Sequence, residues 1–446
     1  MDFAGIIPSF GGFVWTLAAF VVALSVIVAV HEYGHYIIGR LSGIKAEVFS
    51  IGFGPRLWSR IDQHGTRWQI SALPFGGYVK FLGDANAASA GADEQALARL
   101  SPAELRHTMH GAPLWARAAT VLAGPAFNFI FSILVFAGIF LWQGIATDRP
   151  EIGRLMALPG GSYELQPGDL ILSVEGQETP DWTKAMQAVD SLPSKDRMSY
   201  LIERSGEKLT ATGPALYPAR AAGVSPGTAA FEAGLQAGDV ILSIDGTPVY
   251  VFSDIQALVK AAEGRAIALE VWRAGQQFKV TLTPKSTDLP TADGGFETRY
   301  LIGLNGSFFF DPVTRQPGPW EALEGAAGQT WAVASSSFSG LVHIVTGAIS
   351  SCNLRGPLSI AETSGQVASQ GAMDFIWFLA VLSTAVGFLN LFPIPMLDGG
   401  HLVFYAYEWA IGRPLPERAL SLLVSAGLIV VLAMTLFGLT NDLLCP

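Results

Sequence analysis

The chain has 446 residues, a length that ordinarily suggests two to four domains. Half of the residues are hydrophobic and only 14% are charged, whereas soluble proteins carry about 25% charged residues. This composition indicates a membrane protein. The net charge of −10 excludes the basic footprint expected of nucleic-acid binding, so no nucleic-acid partner is expected. The two cysteines, Cys352 and Cys445, are neither close in sequence nor spaced as a metal knuckle, so the sequence does not predict a disulfide framework. We expect two unrelated free thiols, with a bridge between them as the alternative.

Four uncharged apolar stretches are long enough to cross a bilayer, which takes about 20 residues. They cover residues 13–30, 118–142, 375–397 and 419–441. The first lacks the basic start and the A-x-A cleavage site of a signal peptide, so we interpret it as a retained helix. An even number of spans places both termini on one side of the membrane.

The distribution of positive charge predicts which side that is. Nine Lys and Arg residues lie between the first two spans, and Arg413 and Arg418 lie between the third and fourth, whereas the terminal tails contain neither residue type. Since positively charged loops face the cytoplasm, both termini and the long segment 143–374 are predicted to be extracytoplasmic.

Residues 45–83 have the alternation of β structure close to the membrane, with a turn at Asp62-Gln-His-Gly65. The glycine-rich stretch 73–80 could offer a strand edge to a peptide, or it could be a plain solvated hairpin. Further on, Ser101-Pro-Ala-Glu104 has the form of a capping box and predicts the start of a short helix.

The extracytoplasmic segment contains an internal repeat. Residues 165–176, LQPGDLILSVEG, match residues 235–246, LQAGDVILSIDG, at a constant offset. Each copy has the sequence pattern of a turn, a strand and a second turn. The repeat therefore predicts two small β-rich modules in tandem. Residues 319–370 follow with helical, amphipathic spacing. We expect them to lie along the outer membrane surface, with packing against the modules as the alternative.

The strongest chemical signal is the HEYGH sequence at residues 31–35. On a helix, His31 and His35 lie one turn apart on one face, so both imidazoles can reach one metal ion. Glu32 is placed to act as a general base on a water molecule. Ionisable groups in a membrane span are costly, which makes them functional candidates.

Zinc needs a third protein ligand and an open position for water. Asp398 is the candidate, because it follows the proline-interrupted stretch NLFPIPML at residues 390–397. The first and third spans cross the membrane in the same direction, so HEYGH and Asp398 should reach a similar depth near the cytoplasmic face. The alternative for Asp398 is a helix-terminal residue beside a Gly-Gly turn. We expect the remaining histidines to be ordinary surface or capping residues, namely His64, His107, His110, His343 and His401.

HEYGH, the stretch from Asn390 to Gly400, and PDZ-like modules between spans two and three together resemble the site-2 protease family of intramembrane zinc metalloproteases. The tandem modules resemble the bacterial type in that family. The resemblance covers nearly the whole chain and extends to Leu122-Ala-Gly-Pro125 with Asn128, and to Arg355-Gly-Pro-Leu-Ser359. It implies a Zn²⁺ ion bound by His31, His35 and Asp398.

The same resemblance implies roles for further residues. Glu32 would be the catalytic residue that activates water. Substrate binding would involve Asn390 near the scissile bond, with Gly76, Gly77, Tyr78 and Pro393 as further candidates.

The predicted fold is therefore a polytopic α-helical membrane protein with four transmembrane helices, a membrane-associated β-hairpin region and two small extracytoplasmic PDZ domains. The predicted segments are the first transmembrane helix with HEYGH (1–44), a cytoplasmic-side β-region and loop (45–112), the second helix (113–143), the first PDZ domain (144–218), the second PDZ domain (219–310), an amphipathic segment (311–372), the third helix with Asn390 and Asp398 (373–400), and the fourth helix with the C-terminus (401–446).

The reaction implied by the resemblance is peptide hydrolysis within transmembrane segments of membrane proteins that have already been trimmed, such as anti-sigma factors or signal-peptide remnants. The expected location is the bacterial inner membrane, in contact with lipid, with the active site towards the cytoplasm. The PDZ domains would act as a size filter or bind peptide ligands. Two alternatives are a membrane-anchored PDZ scaffold and a metal transporter. The first would have a degenerate catalytic core, and the second would show polar positions repeated along several helices.

Overall fold

The computed structural model describes residues 6–84, 94–161, 163–290 and 296–444. The chain divides into two compact units. The helical unit contains residues 1–139, 319–343 and 354–445, and the sheet unit contains residues 140–318 and 344–353. The alanine-rich stretch 84–100 lies partly outside the described residues.

Most of the helical unit comes from the two ends of the chain. The N-terminal part consists of α1 (Ile6–Leu41), β1 (Ala46–Ile61), β2 (Arg67–Phe81), α2 (Glu94–Leu97), α3 (Pro102–Leu105) and α4 (Leu114–Gln143). In the sheet unit there follow β3 (Ile145–Ala146), β4 (Ile152–Leu155), β5 (Leu170–Val174), β6 (Gln177–Glu178), α5 (Trp182–Ser191), β7 (Arg197–Arg204), β8 (Glu207–Pro214), β9 (Gly223–Val224), α6 (Ala229–Glu232), β10 (Val240–Ile244), β11 (Thr247–Pro248), α7 (Phe252–Ala261), β12 (Ile267–Arg273), β13 (Gln276–Leu282), β14 (Lys285–Pro290), β15 (Phe296–Leu301), β16 (Leu304–Asn305), β17 (Phe310–Pro312) and β18 (Thr314–Arg315). The C-terminal part comprises α8 (Pro319–Val345), α9 (Pro357–Gln370), α10 (Ala372–Asn390), α11 (Asp398–Ile411) and α12 (Glu417–Leu444), and a 3₁₀ turn (Ser351–Asn353) between α8 and α9 belongs to the sheet unit.

Four helices among the described residues are long and apolar enough to span a membrane, which confirms the predicted number. They are Gly12–Leu41, Leu114–Gln143, Ala372–Asn390 and Arg418–Leu444. One of their ends differs from the predicted spans, because the third helix ends at Asn390 instead of running to residue 397. The first helix continues past HEYGH to Leu41, within the predicted segment 1–44. The third helix stops because Pro393 and Pro395 have no backbone N–H to donate and restrict the residues before them.

The strands β1 and β2 form a curled sheet beside α1. Phe49 of β1 is paired with Val79 on one side and with Trp68 on the other. The predicted turn lies between these strands, and Asp62 holds it by accepting hydrogen bonds from the backbone N–H groups of His64 at 2.8 Å and Thr66 at 2.9 Å. Large apolar side chains in the second half of β1 are exposed, including Leu57, Trp58 and Ile61.

Further capping interactions fix the short helices. Ser101 and Glu104 exchange both hydrogen bonds of the predicted capping box at the start of α3. At the start of α9, the carboxylate of Asp442 in α12 accepts bonds from the backbone N–H groups of Gly356 at 2.8 Å and Leu358 at 3.0 Å. A carboxylate at this position also interacts favourably with the helix dipole. The helix α9 packs against α1, α10 and α12, so this part of the 319–370 segment is integrated with the spanning helices.

The sheet unit contains two four-stranded sheets of the same order, β6-β5-β7-β8 and β11-β10-β12-β13. Both sheets contain the same ion pair between a buried aspartate and a partly exposed arginine: Arg204 contacts Asp169 at 2.6 Å, and Arg273 contacts Asp239 at 2.6 Å. Strand β4, which precedes the first sheet in the chain, pairs with β17. The predicted end of the second PDZ domain at residue 310 therefore falls within a strand pair of this unit.

The expectation of free thiols is wrong for Cys352, which is disulfide-bonded. The sequence contains one other cysteine, Cys445, and that residue lies outside the described part of the chain. Because 92 residues separate the two cysteines, sequence spacing alone gave no reason to pair them.

The buried Arg–Asp pair of the second sheet provides a stability test. Arg273→Met leaves the carboxylate of Asp239, which is 0% exposed, without its counter-charge. We expect a loss of about 3 kcal/mol in the free energy of unfolding of the sheet unit, measured by pulse proteolysis of the full chain in urea. The matched control is Arg265→Met, which removes an exposed pair with Asp245 and should leave the unfolding curve unchanged. Equal effects of the two substitutions would contradict the importance of burial.

Candidate metal centre

Three predicted ligands come together in the helical unit. His31 and His35 lie one turn apart in α1, and Asp398 is the first residue of α11. The Nε2 atoms of the two histidines are 3.1 Å apart. Nε2 of His31 is 3.1 Å from Oδ2 of Asp398, and Nε2 of His35 is 3.5 Å from Oδ1. The three side chains are only 12–15% exposed.

This donor set fits zinc. Tetrahedral bonds of about 2.0–2.1 Å place two ligand atoms about 3.3 Å apart, close to the three observed separations. In the described part of the chain, Oδ2 of Asp398 is buried and makes no hydrogen bond of good geometry, although Nε2 of His31 lies 3.1 Å away. A buried carboxylate oxygen without compensation is unfavourable, and a cation between Asp398 and the imidazoles supplies that compensation.

Glycines allow α1 to approach α4 closely enough to place the imidazoles. A Cβ atom on Gly34 of α1 would lie 2.4 Å from the carbonyl oxygen of Ala123. A Cβ atom on Gly124 of α4 would lie 2.4 Å from Nε2 of His35 and 2.8 Å from Cε1 of His31. Neither position can carry a larger residue without moving a metal ligand or its helix.

The helix α4 also contacts both helices that carry the ligands, α1 and α11. Nδ1 of His35 is 2.9 Å from the backbone carbonyl of Thr120. A carbonyl oxygen can only accept, so His35 carries its proton on Nδ1 and directs the Nε2 lone pair at the cluster. Arg117, one turn earlier in α4, donates to both carboxylate oxygens of Glu408 in α11, at 3.0 and 2.6 Å.

Glu32 lies in the same cavity of about 380 Å³ as the three ligands. It accepts a hydrogen bond from the backbone N–H of Val79 in β2. The strand runs close to the helix here, because a Cβ atom on Gly77 would lie 2.8 Å from Cγ1 of Val28 and 3.3 Å from Cγ of Glu32. The predicted base is therefore held beside the metal ligands by the edge of β2.

The predicted substrate-binding residues are not all brought together. Asn390, Gly77 and Tyr78 line the cavity, and the amide of Asn390 donates to the carbonyl of Val386 at 3.1 Å. Gly76 has φ +124°, and a Cβ atom there would lie 2.6 Å from the ring of Phe53, so this position requires glycine. Pro393 is exposed in the loop between α10 and α11.

One histidine departs from its predicted role. His401 lines the cavity together with Tyr405, one turn further along α11, so it is not an ordinary surface residue. Its spacing of three residues from Asp398 on a helix was the signal that could have indicated this. The exposed His107 instead contacts the carbonyl of Gly43 at 2.6 Å.

Comparison with known proteins shows the family of the chain. Residues 19–434 match the profile of peptidase family M50. The chain belongs to peptidase family M50. It is 34% identical to the regulator of sigma-E protease RseP of Escherichia coli (strain K12), over 96% of this chain and 98% of that protein. It is also 34% identical to a putative zinc metalloprotease of Rhizobium meliloti (strain 1021), over 96% of each chain. A putative zinc metalloprotease of Agrobacterium fabrum (strain C58) is 35% identical, over 96% of this chain and 95% of that protein.

The predicted family is therefore confirmed, and the chain is a zinc metalloprotease of the membrane. Membership of this family favours a protease over the scaffold and transporter alternatives. The identity of the zinc ligands and of the base rests on the geometry described above.

The glycine contact gives a direct test of that geometry. Gly124→Ala introduces a methyl group into the space of both imidazoles, so we expect the purified protein to lose most of its zinc. The matched control is Gly138→Ala in the same helix, where a Cβ atom meets no described atom within 4 Å. Zinc content per chain is measured by plasma mass spectrometry. Full zinc content in Gly124→Ala would show that the imidazoles are not held against α4.

Proposed function

We propose that this protein hydrolyses peptide bonds within transmembrane segments of membrane proteins. The observation that carries the proposal is the convergence of three ligand atoms on spanning and adjoining helices, with Glu32 in the same cavity. Zinc would be held by His31, His35 and Asp398, which leaves one position open for water.

The chain's own groups then have distinct roles. When bound at these residues, zinc would supply a Lewis acid and would lower the pKa of a water molecule there to about 7. Glu32 accepts a proton from the attacking water and delivers it to the leaving amide nitrogen. The N–H of Val79 keeps the Glu32 carboxylate oriented between these two transfers. Burial of the cluster strengthens each electrostatic interaction and limits the access of bulk water.

A substrate helix must unwind before attack, because its carbonyl groups are already hydrogen-bonded within the helix. The segment 77–81 of β2 pairs with β1 on one side, and on the other side the N–H of Val79 points to Glu32. An extended substrate segment could add to this edge by β-augmentation. Asn390 in the cavity wall would bind the substrate backbone near the scissile bond, with Gly76, Gly77 and Tyr78 shaping the edge.

We further propose substrates that have been shortened outside the cytoplasm, such as anti-sigma factor-like proteins and signal-peptide remnants. The name of the similar E. coli protein, a regulator of sigma-E, supports the first class. The charge distribution supports an inner-membrane location with both termini extracytoplasmic. The two repeat modules of the sheet unit, which we interpret as PDZ domains, would exclude untrimmed substrates or bind peptide ligands.

Replacement of the base separates chemistry from metal binding. Glu32→Gln should retain zinc but reduce cleavage of a model transmembrane substrate by about 10²–10⁴-fold. Glu47→Gln changes a carboxylate of β1 that pairs with Lys80 and serves as the control with unchanged cleavage. Cleavage at the parent rate by zinc-loaded Glu32→Gln would exclude Glu32 as the base.

Deletion of most of the sheet unit tests its proposed role as a size filter. Ala146 of β3 pairs with Thr314 of β18, so residues 147–313 can be replaced by a short Gly-Ser turn. We expect the shortened protein to cleave untrimmed substrates that the parent rejects, with trimmed substrates cleaved by both. Gel analysis of paired trimmed and untrimmed substrates measures this. Continued rejection of untrimmed substrates would contradict the size-filter role.

A further inference from the structure

The polar residue Asn128 is completely buried in α4, at 0% exposure. It lies on the same stripe of α4 as Arg117, Thr120 and Gly124, at spacings of three and four residues that share one helix face. Each of the other three contacts an element of the zinc site or makes room for it. The chemistry of the predicted metal site does not by itself require an amide here.

The side chain of Asn128 faces a zinc ligand. Its Nδ2 atom lies 3.2 Å from Nδ1 of His31, the ring nitrogen that points away from Asp398. Its other polar atom, Oδ1, is buried without a hydrogen-bond partner among the residues that the structure describes. Buried polar atoms are usually paired, so this unpartnered oxygen needs an explanation.

The two imidazoles have parallel requirements. A neutral imidazole that gives its Nε2 lone pair to zinc carries its proton on Nδ1, and this proton needs an acceptor. For His35 the acceptor is the carbonyl of Thr120. For His31, Asn128 is the group at hydrogen-bond distance from Nδ1. A half-turn of the amide about its Cβ–Cγ bond exchanges Oδ1 and Nδ2 and presents the oxygen to that proton.

The surroundings hold Asn128 at this position. The hydroxyl groups of Ser132 and Ser383 donate to its backbone carbonyl at 2.9 and 3.1 Å. Gly387 of α10 allows the close approach, since a Cβ atom there would lie 3.0 Å from Cβ of Asn128. The amide is thus fixed between α1 and α10, with its rotation about Cβ–Cγ as the remaining freedom.

We propose that Asn128 is a positioning residue of the zinc site, whose side-chain oxygen accepts the Nδ1 proton of His31 and keeps the Nε2 lone pair directed at zinc. The inference rests on the proposed ligand set of His31, His35 and Asp398. Asn128 and Thr120 then perform the same task for the two histidines, one through a side chain and the other through the backbone.

The test compares an acceptor with a side chain of similar shape that cannot accept. Asn128→Asp retains the acceptor, and Asn128→Leu removes it. Zn²⁺ affinity of the full chain in detergent is measured by competition with a chelator, and the visible spectrum of the Co²⁺-substituted protein reports the ligand geometry. We expect Asn128→Leu to bind Zn²⁺ about 10–100-fold more weakly, with an altered Co²⁺ spectrum. Asn128→Asp should bind at least as tightly as the parent.

Two further variants make the outcome specific. Ser364→Ala removes a buried hydroxyl of α9 that donates to the carbonyl of Ile360 in the same helix, and it should leave Zn²⁺ affinity at the parent value. His31→Ala tests the ligand set itself. Retained Zn²⁺ in that variant would overturn the proposed site, whereas loss of Zn²⁺ leaves the Asn128 comparison to be decided separately.

Parent-like affinity in Asn128→Leu, or equal weakening in Asn128→Asp and Asn128→Leu, would overturn the role of Asn128. If Asn128→Leu does not yield monodisperse protein, Asn128→Asp decides alone: affinity at or above the parent value supports the proposal, and a tenfold loss overturns it.

Discussion

The approach of α1 to α4 is the contact on which the rest of the metal centre depends. Gly34 and Gly124 let the two helices come together at the level of HEYGH, where any side chain would overlap a backbone carbonyl or an imidazole. Small residues at helix interfaces serve this purpose in membranes, where no hydrophobic effect drives helices together. Because the imidazoles lie against α4, the polar groups of that helix determine how the rings are oriented.

The second constraint is the placement of a carboxylate in apolar surroundings. Asp398 begins α11 directly after a loop that contains Pro393 and Pro395. The break between α10 and α11 therefore positions the Asp398 carboxylate and leaves space beside it. Gly399 and Gly400 make the turn compact, since a Cβ atom on either would lie 2.2–2.3 Å from a loop carbonyl oxygen. The Arg117–Glu408 bridge ties α11 to α4. The carboxylate and the imidazoles are therefore positioned against one common helix.

Much of the site was predictable because local spacing determines it. HEYGH specifies two ligands one turn apart, and the prolines before Asp398 predict a broken helix with a polar residue at its end. The partners of those ligands were not predictable in the same way. Thr120 and Asn128 act through contacts between helices, and no pattern within α4 reveals which side chain of α1 they meet.

The fold shows the same division between local and tertiary information. The turn after β1, the capping box at Ser101 and the four spanning helices follow from short-range sequence. The pairing of β4 with β17 joins residues more than 150 positions apart, and a boundary drawn from the repeat alone could not include it.

X-ray absorption at the zinc edge of the purified full chain tests the proposed ligand set directly. We expect one zinc ion per chain with a four-coordinate shell of nitrogen and oxygen at about 2.0–2.1 Å, including the scattering pattern of two imidazoles. A sulfur ligand at about 2.3 Å, or a shell without two imidazoles, would contradict the assignment of zinc to His31, His35 and Asp398.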